Sequence, residues 1–479
     1  MGNSISKGFV WTAVDKFANL FIQFVLGIII ARLITPEEYG VLGILMVFVN
    51  VSQVFIEGGL DSALIFKNRI DNNYLNTTFI FNFAVSLLLF IIIFLFASSI
   101  ERFFSFKGLS EYIHVSSIVL VTNSLIVVPT SILKIRLNFR ILTYSNISAA
   151  LLSGALGIIA AYLGYGVWAL IIQLLSKSVC LFFCLFIACK WAPKLQFDKS
   201  SFIELYQYGV NIFSASFFTR LLDEGTSFFI GKFLSPFSLG LYSKGRQFAC
   251  LPGNAIGGII TSALFPSLSS VRGDDSRFNE VYRKVISIQA LICSPLFVWL
   301  AVMADSLVRL LITDKWIDVV PIIQILSLGR LLTIAANITE QVINAKGYST
   351  IFFRQQLLKM ILKTIVIIGC LPLGIMYVVI GEALFTSVTF FITNLYAKNI
   401  SEFSIAEQLK VLIPFFICSF VSGCLTYVLI GLFIQTFIKI IAGTVFFFLL
   451  YFGLLIVFER NNNELLLLYH LIKNRFLKK

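Results

Sequence analysis

The stretch ARLITPEEYG, residues 31–40, returns two hundred positions later as GKFLSPFSLG, residues 231–240. Pro36 recurs as Pro236 and Gly40 as Gly240, while Arg32 becomes Lys232 and Thr35 becomes Ser235. The same offset superposes Ser62-Ala63-Leu64 on Ser262-Ala263-Leu264, and Gly58 on Gly258. In each copy the Pro follows one apolar run and opens the next. Pro suits the first turn of a helix, and Gly permits a close bend. Each copy therefore reads as the tip of a helical hairpin.

The surrounding composition says what the hairpins cross. The chain of 479 residues is 58% hydrophobic, with 50 Phe and only 13% charged residues, against about 25% charge in a soluble domain. Runs of about 20 apolar residues, enough for a hydrocarbon core of ~30 Å, follow one another along the chain. Backbone groups unpaired in lipid cost several kcal/mol each, so the spans must be helices. We read an all-α polytopic membrane protein with about fourteen spans: 9–34, 38–63, 77–99, 112–133, 144–164, 166–189, 205–231, 238–266, 284–306, 319–343, 357–376, 378–397, 409–432 and 435–458.

The formal charge of +13 follows topology rather than a nucleic-acid footprint. The ends and even-numbered loops gather most Lys and Arg, among them Lys67, Lys134, Arg136, Lys190, Lys194, Arg283, Lys359 and Lys363. The other side holds only Arg32, Arg102, Lys107, Lys232, Lys244, Arg246, Arg309, Lys315 and Lys439. That bias places both termini in the cytoplasm. The eight Cys all fall in predicted spans and read as small buried residues at helix contacts.

An even number of crossings separates the two copies, so both enter the membrane from the same side. This gives a parallel repeat of two six-helix lobes, residues 1–190 and 205–398, joined by a cytoplasmic linker at 191–204. Two extra helices (399–458) and a basic cytoplasmic tail (459–479) complete the expected organisation. Polar residues support the repeat. Asp15, Asn19 and Gln23 lie on one face of span 1, and Thr219 and Asp223 take the places of Asn19 and Gln23 in span 7. Span 2 adds Asn50, Gln53, Glu57 and Asp61; span 8 adds Lys244, Gln247, Asn254 and Thr261. Intramembrane ionisable groups usually face protein or a wet cavity, so these stripes point to a polar path between two lobes.

The same residues carry a family resemblance. ARLITPEEYG resembles the first hairpin of bacterial polysaccharide-type flippases, the Wzx group of the multidrug/oligosaccharidyl-lipid/polysaccharide exporter superfamily. The likeness continues through LGYGVWAL (163–170), IGKFLSPFSLGLYSKGRQFACLP (230–252), LFPSLSSVR (264–272), DKWIDVVPIIQIL (314–326) and NAKGYS (344–349). It runs in order over residues 5 to 400. The resemblance implies translocation of an undecaprenyl-diphosphate-linked oligosaccharide across the bacterial inner membrane for surface polysaccharide assembly, driven by an ion gradient. It implies the membrane and the lipid-linked sugar as partners, with polysaccharide polymerase and glycosyltransferases alongside, and no cofactor. Relatives place an acidic residue shortly before the I-G-K; here Thr226-Ser227 stand there, with Asp223 and Glu224 a turn earlier.

A lipid-linked diphosphate needs a hydrated path and cations. Arg220, Lys16, Arg330 (in a span 10 stripe with Ser327, Thr333, Asn337 and Glu340) and Lys177 are the candidate cations, with Gln173, Asn19, Gln247 and Asn254 as polar lining. Arg suits phosphate because its planar fork donates two parallel bonds. Three of the cations have a structural alternative: Arg220 can pair with Asp223 or Glu224 on its own helix, Lys16 can snorkel to the interface, and Lys177 can seal the lobe beside Gln173. Asp15, Glu57, Asp61, Asp223 and Glu224 are the ion-coupling candidates, since a carboxylate in low dielectric can exchange protons near neutrality; structural pairing is the alternative for each. Only two His, His114 and His470, are present, and no G-x-x-x-x-G-K-[ST] loop. Enzymatic and ATP-driven readings therefore lack residues. A drug or metabolite exporter, a peptidoglycan-precursor flippase and a non-transporting scaffold remain the other classes. Trp316 can stack on sugar or sit at the membrane interface.

Overall fold

The computed structural model describes residues 2–67, 71–270, 275–346, 348–398, 400 and 403–459; the expected basic tail lies almost wholly outside them, as does the side chain of Thr261. The described chain is helical: α1 (Gly2–Leu33), α2 (Pro36–Glu57), α3 (Leu60–Lys67), α4 (Asn72–Phe104), α5 (Leu109–Ser116), α6 (Ile118–Ile135), α7 (Phe139–Tyr162), α8 (Val167–Cys189), α9 (Lys199–Phe233), α10 (Pro236–Ser270), α11 (Asp275–Leu311), α12 (Val320–Gly329), α13 (Thr333–Ala345), α14 (Ser349–Cys370), α15 (Ile375–Ala397), α16 (Ile405–Gly431) and α17 (Thr436–Glu459). Among the described residues eleven spans are long and apolar enough to cross a membrane, or twelve if the bent pair around residue 330 is one span. The long α9 and α10 fall outside that set. α9 carries Arg220, Asp223 and Glu224 within one stretch of five residues.

Local chemistry sets the helix ends. Pro36 opens α2, and a capping box precedes it: the Glu38 amide donates to the Thr35 hydroxyl (3.3 Å) and the Thr35 amide to the Glu38 carboxylate (2.7 Å). These bonds satisfy donors that a helix start otherwise leaves orphaned. At the second copy the Ser238 amide donates to the Ser235 hydroxyl (3.1 Å) just before and after Pro236. Asp198 caps α9, accepting from the Ser201 amide (2.9 Å) and the Ser200 hydroxyl (2.7 Å). Those bonds to Ser201 and Ser200 hold its carboxyl down at about 2.

Two compact units divide the chain at residues 243 and 244. In the first, α9 packs along α2, α3 and α4, while α7 packs on α1 and α8. The expected second span is broken: Gly58 (φ 56°) and Gly59 (φ 71°) are both left-handed and separate α2 from α3. Glycine reaches this region without a Cβ penalty. Gly59 also lies against the backbone of Gly209 in α9, where an added Cβ would come within 2.2 Å of the Gly209 carbonyl oxygen. Before that elbow Phe55 sits between Phe213 and Phe217 (5.4 and 5.3 Å), and beyond it Phe66 stacks on Tyr208 at 4.4 Å.

At the other end of α9 the two copies of the opening motif meet. A Cβ at Gly40 would lie 1.7 Å from the Pro236 carbonyl oxygen, and a Cβ at Gly240 would lie 1.8 Å from that of Pro36. Each glycine receives the first turn of the other hairpin. The recurring Pro and Gly are thus two halves of one reciprocal contact.

The second unit is built around α11, on which α12, α13, α16 and α17 pack. Its core joins Phe278, Tyr282, Phe297, Phe390, Phe415, Phe447 and Tyr451. The Tyr451 hydroxyl donates to the Leu291 carbonyl (2.9 Å) and the Trp299 indole to Thr444 (3.1 Å), fixing α17 to α11. Of the cysteines only Cys189, Cys293 and Cys418 are buried, and Cys424 is exposed, so the expectation of buried contacts holds for part of the set.

Candidate functional site

Three groups of polar side chains in the first unit gather residues that the sequence singles out. In the first, Asp15 on α1 is half-buried and accepts from Asn19 one turn on (2.9 Å) and from Asn146 on α7 (3.1 and 3.3 Å to its two oxygens). Two amide donors from two helices thus hold one carboxylate, which accepts through its oxygens. Lys16, the next residue, is exposed. The Arg140 guanidinium lies over the rings of Trp11 (5.7 Å) and Tyr144 (5.5 Å), joining the same two helices.

The second group spans α2 and α9. Glu224 accepts from Asn50 at 2.9 Å, whereas its pair with Arg220 is loose at 3.8 Å. The Glu224 side chain is 14% exposed and that of Arg220 is 42% exposed. The neighbouring Asp223 is half-buried on the same helix. Local pairing expected for Arg220 is therefore present but long, and the short bond to Glu224 comes from a different helix. Lys232, the counterpart of Arg32, donates to the Phe103 carbonyl at the end of α4 and sits 4.4 Å from its ring centroid. A cation at a helix C-terminus suits the last carbonyls.

In the third group, Gln53 donates to Glu57 on α2 (2.9 Å) and accepts from Asn123 on α6 (3.2 Å). Asp61 lies beyond the Gly58-Gly59 break on α3, so it does not continue the α2 stripe. Gln173 and Lys177 are half-buried on α8, and Gln173 packs on Gly157 of α7.

The second unit departs further from expectation. Arg330 follows the end of α12 at a 50° break between two helices, rather than on one continuous stripe. Just before the break Gly329 packs so close to Ala383 that a Cβ would meet it at 2.6 Å. Gln247 is half-buried and Asn254 exposed on α10. Trp316 is fully buried, with the buried Lys244 ammonium 5.9 Å from its ring, and so faces neither sugar nor the interface.

Lys359 and Lys363, which the sequence reading assigns to cytoplasmic loop charge, lie one turn apart inside α14. Lys359 pairs with Glu340 of α13 (2.5 Å) and donates to Thr393 of α15 (2.7 Å); Lys363 pairs with Glu382 of α15 (3.4 Å). Their side chains are 5% and 13% exposed. The i, i+4 spacing of two lysines in an apolar run was the available signal. Asn123, Asn146 and Ser178 carried a weaker one, as isolated neutral polar residues. Among the described residues no group of His, Cys, Asp or Glu could hold a metal ion.

Bundled helices broken at glycines, with buried carboxylates and cations in place of a catalytic cluster, define a class: a multi-pass membrane transporter fold. The fold is shared with a solved lipid II flippase MurJ in an inward closed conformation, at TM-score 0.77 and 15% identity over 94% of this chain and 98% of that one. An inward-facing multidrug resistance MATE family transporter matches at TM-score 0.62 and 15% identity, over 81% and 97%. Residues 29–321 match the polysaccharide biosynthesis protein family, and the chain belongs to that family. Among its relatives, the succinoglycan biosynthesis transport protein ExoT of Rhizobium meliloti is 20% identical over 75% of this chain and 73% of its own. The lipopolysaccharide biosynthesis protein WzxC of Escherichia coli is 21% identical over 77% and 74%. The teichuronic acid biosynthesis protein TuaB of Bacillus subtilis is 23% identical over 73% of each.

Proposed function

We propose that this membrane transporter moves a lipid-linked oligosaccharide diphosphate from the inner to the outer leaflet of the bacterial plasma membrane, coupled to an ion gradient. One relative is named as a succinoglycan biosynthesis transport protein and two others for lipopolysaccharide and teichuronic acid biosynthesis, which supports a glycan as the cargo. The observation that carries the reading is Arg220 on α9: a guanidinium, 42% exposed, whose pair with Glu224 is long at 3.8 Å while Glu224 takes its short bond from Asn50. A guanidinium so placed can present its fork to a diphosphate, and an arginine inside the membrane is retained at a cost of at least ~2.5 kcal/mol. Asp15 between Asn19 and Asn146 is the favoured coupling carboxylate. Both termini lie in the cytoplasm in this reading, and the two hairpins belong to a parallel repeat.

The test is deletion in a strain lacking a second transporter of this type. Lipid-linked repeat units should accumulate on the cytoplasmic leaflet and the surface glycan should vanish. Normal glycan display would refute the assignment; accumulation of a peptidoglycan precursor instead would move it to the alternative flippase class.

A further inference from the structure

The polar group around Glu57 is longer than the stripe on α2, and its links have a direction. Glu57 offers only acceptor oxygens as a carboxylate, so Gln53 must turn its amide nitrogen toward it (2.9 Å). That leaves the Gln53 oxygen facing α6, where it accepts from the Asn123 amide nitrogen at 3.2 Å. The Asn123 oxygen then faces α8 and accepts from the Ser178 hydroxyl. Ser178 in turn accepts from Thr122 at 2.9 Å. Each donor points the same way, and three helices contribute.

We infer that Asn123 and Ser178 are positioning residues for Glu57: through Gln53 they form a one-way chain of donors that fixes Glu57 as the terminal acceptor and couples its charge to the packing of α2, α6 and α8. This rests on the reading of the protein as an ion-coupled flippase. The amides make the chain an orienting device and not a proton wire, because an amide nitrogen donates its hydrogen without releasing it. A protonated Glu57 still accepts at its carbonyl oxygen, but the charge that strengthens the last bond is gone. It also gains a hydrogen that must find an acceptor, and the nearest amide nitrogen offers none. Loss of the charge therefore loosens a contact whose influence reaches Ser178 on α8. The other charged groups acting on Glu57 are Asp61 on α3, Lys134 on α6 and Arg220 on α9. Arg220 thus links this group to the second one, so a cation moved by substrate would be felt at Glu57.

The experiment is a pH titration of the full-length protein in detergent by infrared difference spectroscopy, reading the carboxyl band that disappears in Glu57→Gln. Ser178→Ala and Asn123→Leu should move the midpoint of that band together, to higher pH by about half to one unit, because a weakened donor favours the protonated form. Ser178→Thr, which keeps the hydroxyl, should restore the wild-type midpoint. If Asn123→Leu does not reach the membrane, Ser178→Ala decides alone, since it removes a single oxygen. Unmoved midpoints overturn the inference. In transport, Ser178→Ala should alter the pH profile in the wild-type background and add nothing in Glu57→Gln; equal losses in both backgrounds also overturn it. A wild-type protein that moves no lipid-linked oligosaccharide would defeat the flippase reading while the titration still decides the chain.

Discussion

Gly40→Ala is the sharpest perturbation the fold offers. The added methyl would sit 1.7 Å from the Pro236 carbonyl oxygen, and contacts under 3.0 Å are essentially never seen for a real Cβ. The two hairpin tips must therefore part by about 1.3 Å at least, or α2 must rotate, and overpacking of this kind costs typically about 1–3 kcal/mol. That range weakens the closed contact about 5- to 150-fold at 25 °C. Gly240→Ala meets the Pro36 oxygen at 1.8 Å and should do the same. Because both methyls separate one contact, the double variant should cost clearly less than the sum of the singles. The assay is labelling of a single cysteine at Ser235, in a cysteine-free background, with an impermeant thiol reagent applied from outside. Both single variants should label faster than wild type, with the double close to either. Gly225→Ala, where nothing lies within 4 Å, is the control and should label at the wild-type rate. Wild-type labelling in both Gly40→Ala and Gly240→Ala, or full additivity, would refute the reciprocal contact.

Arg220→Ala should reach the membrane at near wild-type level, since its pair is long and half-exposed, yet export little glycan; Arg220→Lys should keep partial export because charge remains and the fork is lost. Export restored by combining Arg220→Ala with Glu224→Gln would make Arg220 structural. Lys359→Met should lower the membrane level sharply, as breaking a buried pair costs about 3–5 kcal/mol, and adding Glu340→Gln should recover most of it; protein yield and thermal unfolding check this. Asp198 has its carboxyl lowered from 3.8 to about 2, so the stability it contributes is complete above the first value and lost as pH falls through the second. Asp198→Asn should flatten the rise of the unfolding temperature with pH between those two values, while Asp198 retained should show it.

Much of this was written in the sequence. The paired Pro and Gly announced both hairpins, and the polar residues at helical spacing named Asn50, Gln53 and Glu57. What periodicity cannot give is the rotation of one helix against another. Asn123, Ser178 and Asn146 are single neutral residues in apolar runs, and only packing reveals that they complete the groups around Glu57 and Asp15. Hydropathy places Lys359 and Lys363 near a span end, where a lysine ordinarily snorkels; their glutamates come from spans that a linear reading keeps apart. The stripe through Arg330 looked continuous because residue spacing survives the 50° break beside it. Trp316 followed the frequent habit of its residue type until burial against Lys244 overruled it.

The two lysines of α14 also bear on how the protein is made. A lysine near the middle of an inserting helix costs about 2.5–3.5 kcal/mol, so α14 leaving the translocation machinery alone would enter lipid at a considerable disadvantage. Glu340 is already synthesised when α14 emerges, but Glu382 and Thr393 belong to the helix that follows. The segment would therefore be held at the insertion site until α15 arrives, and the two helices would enter the bilayer as a neutralised pair. Biogenesis of the second unit acquires an order that its final packing no longer displays, and a ribosome paused between residues 373 and 398 would leave α14 poorly integrated.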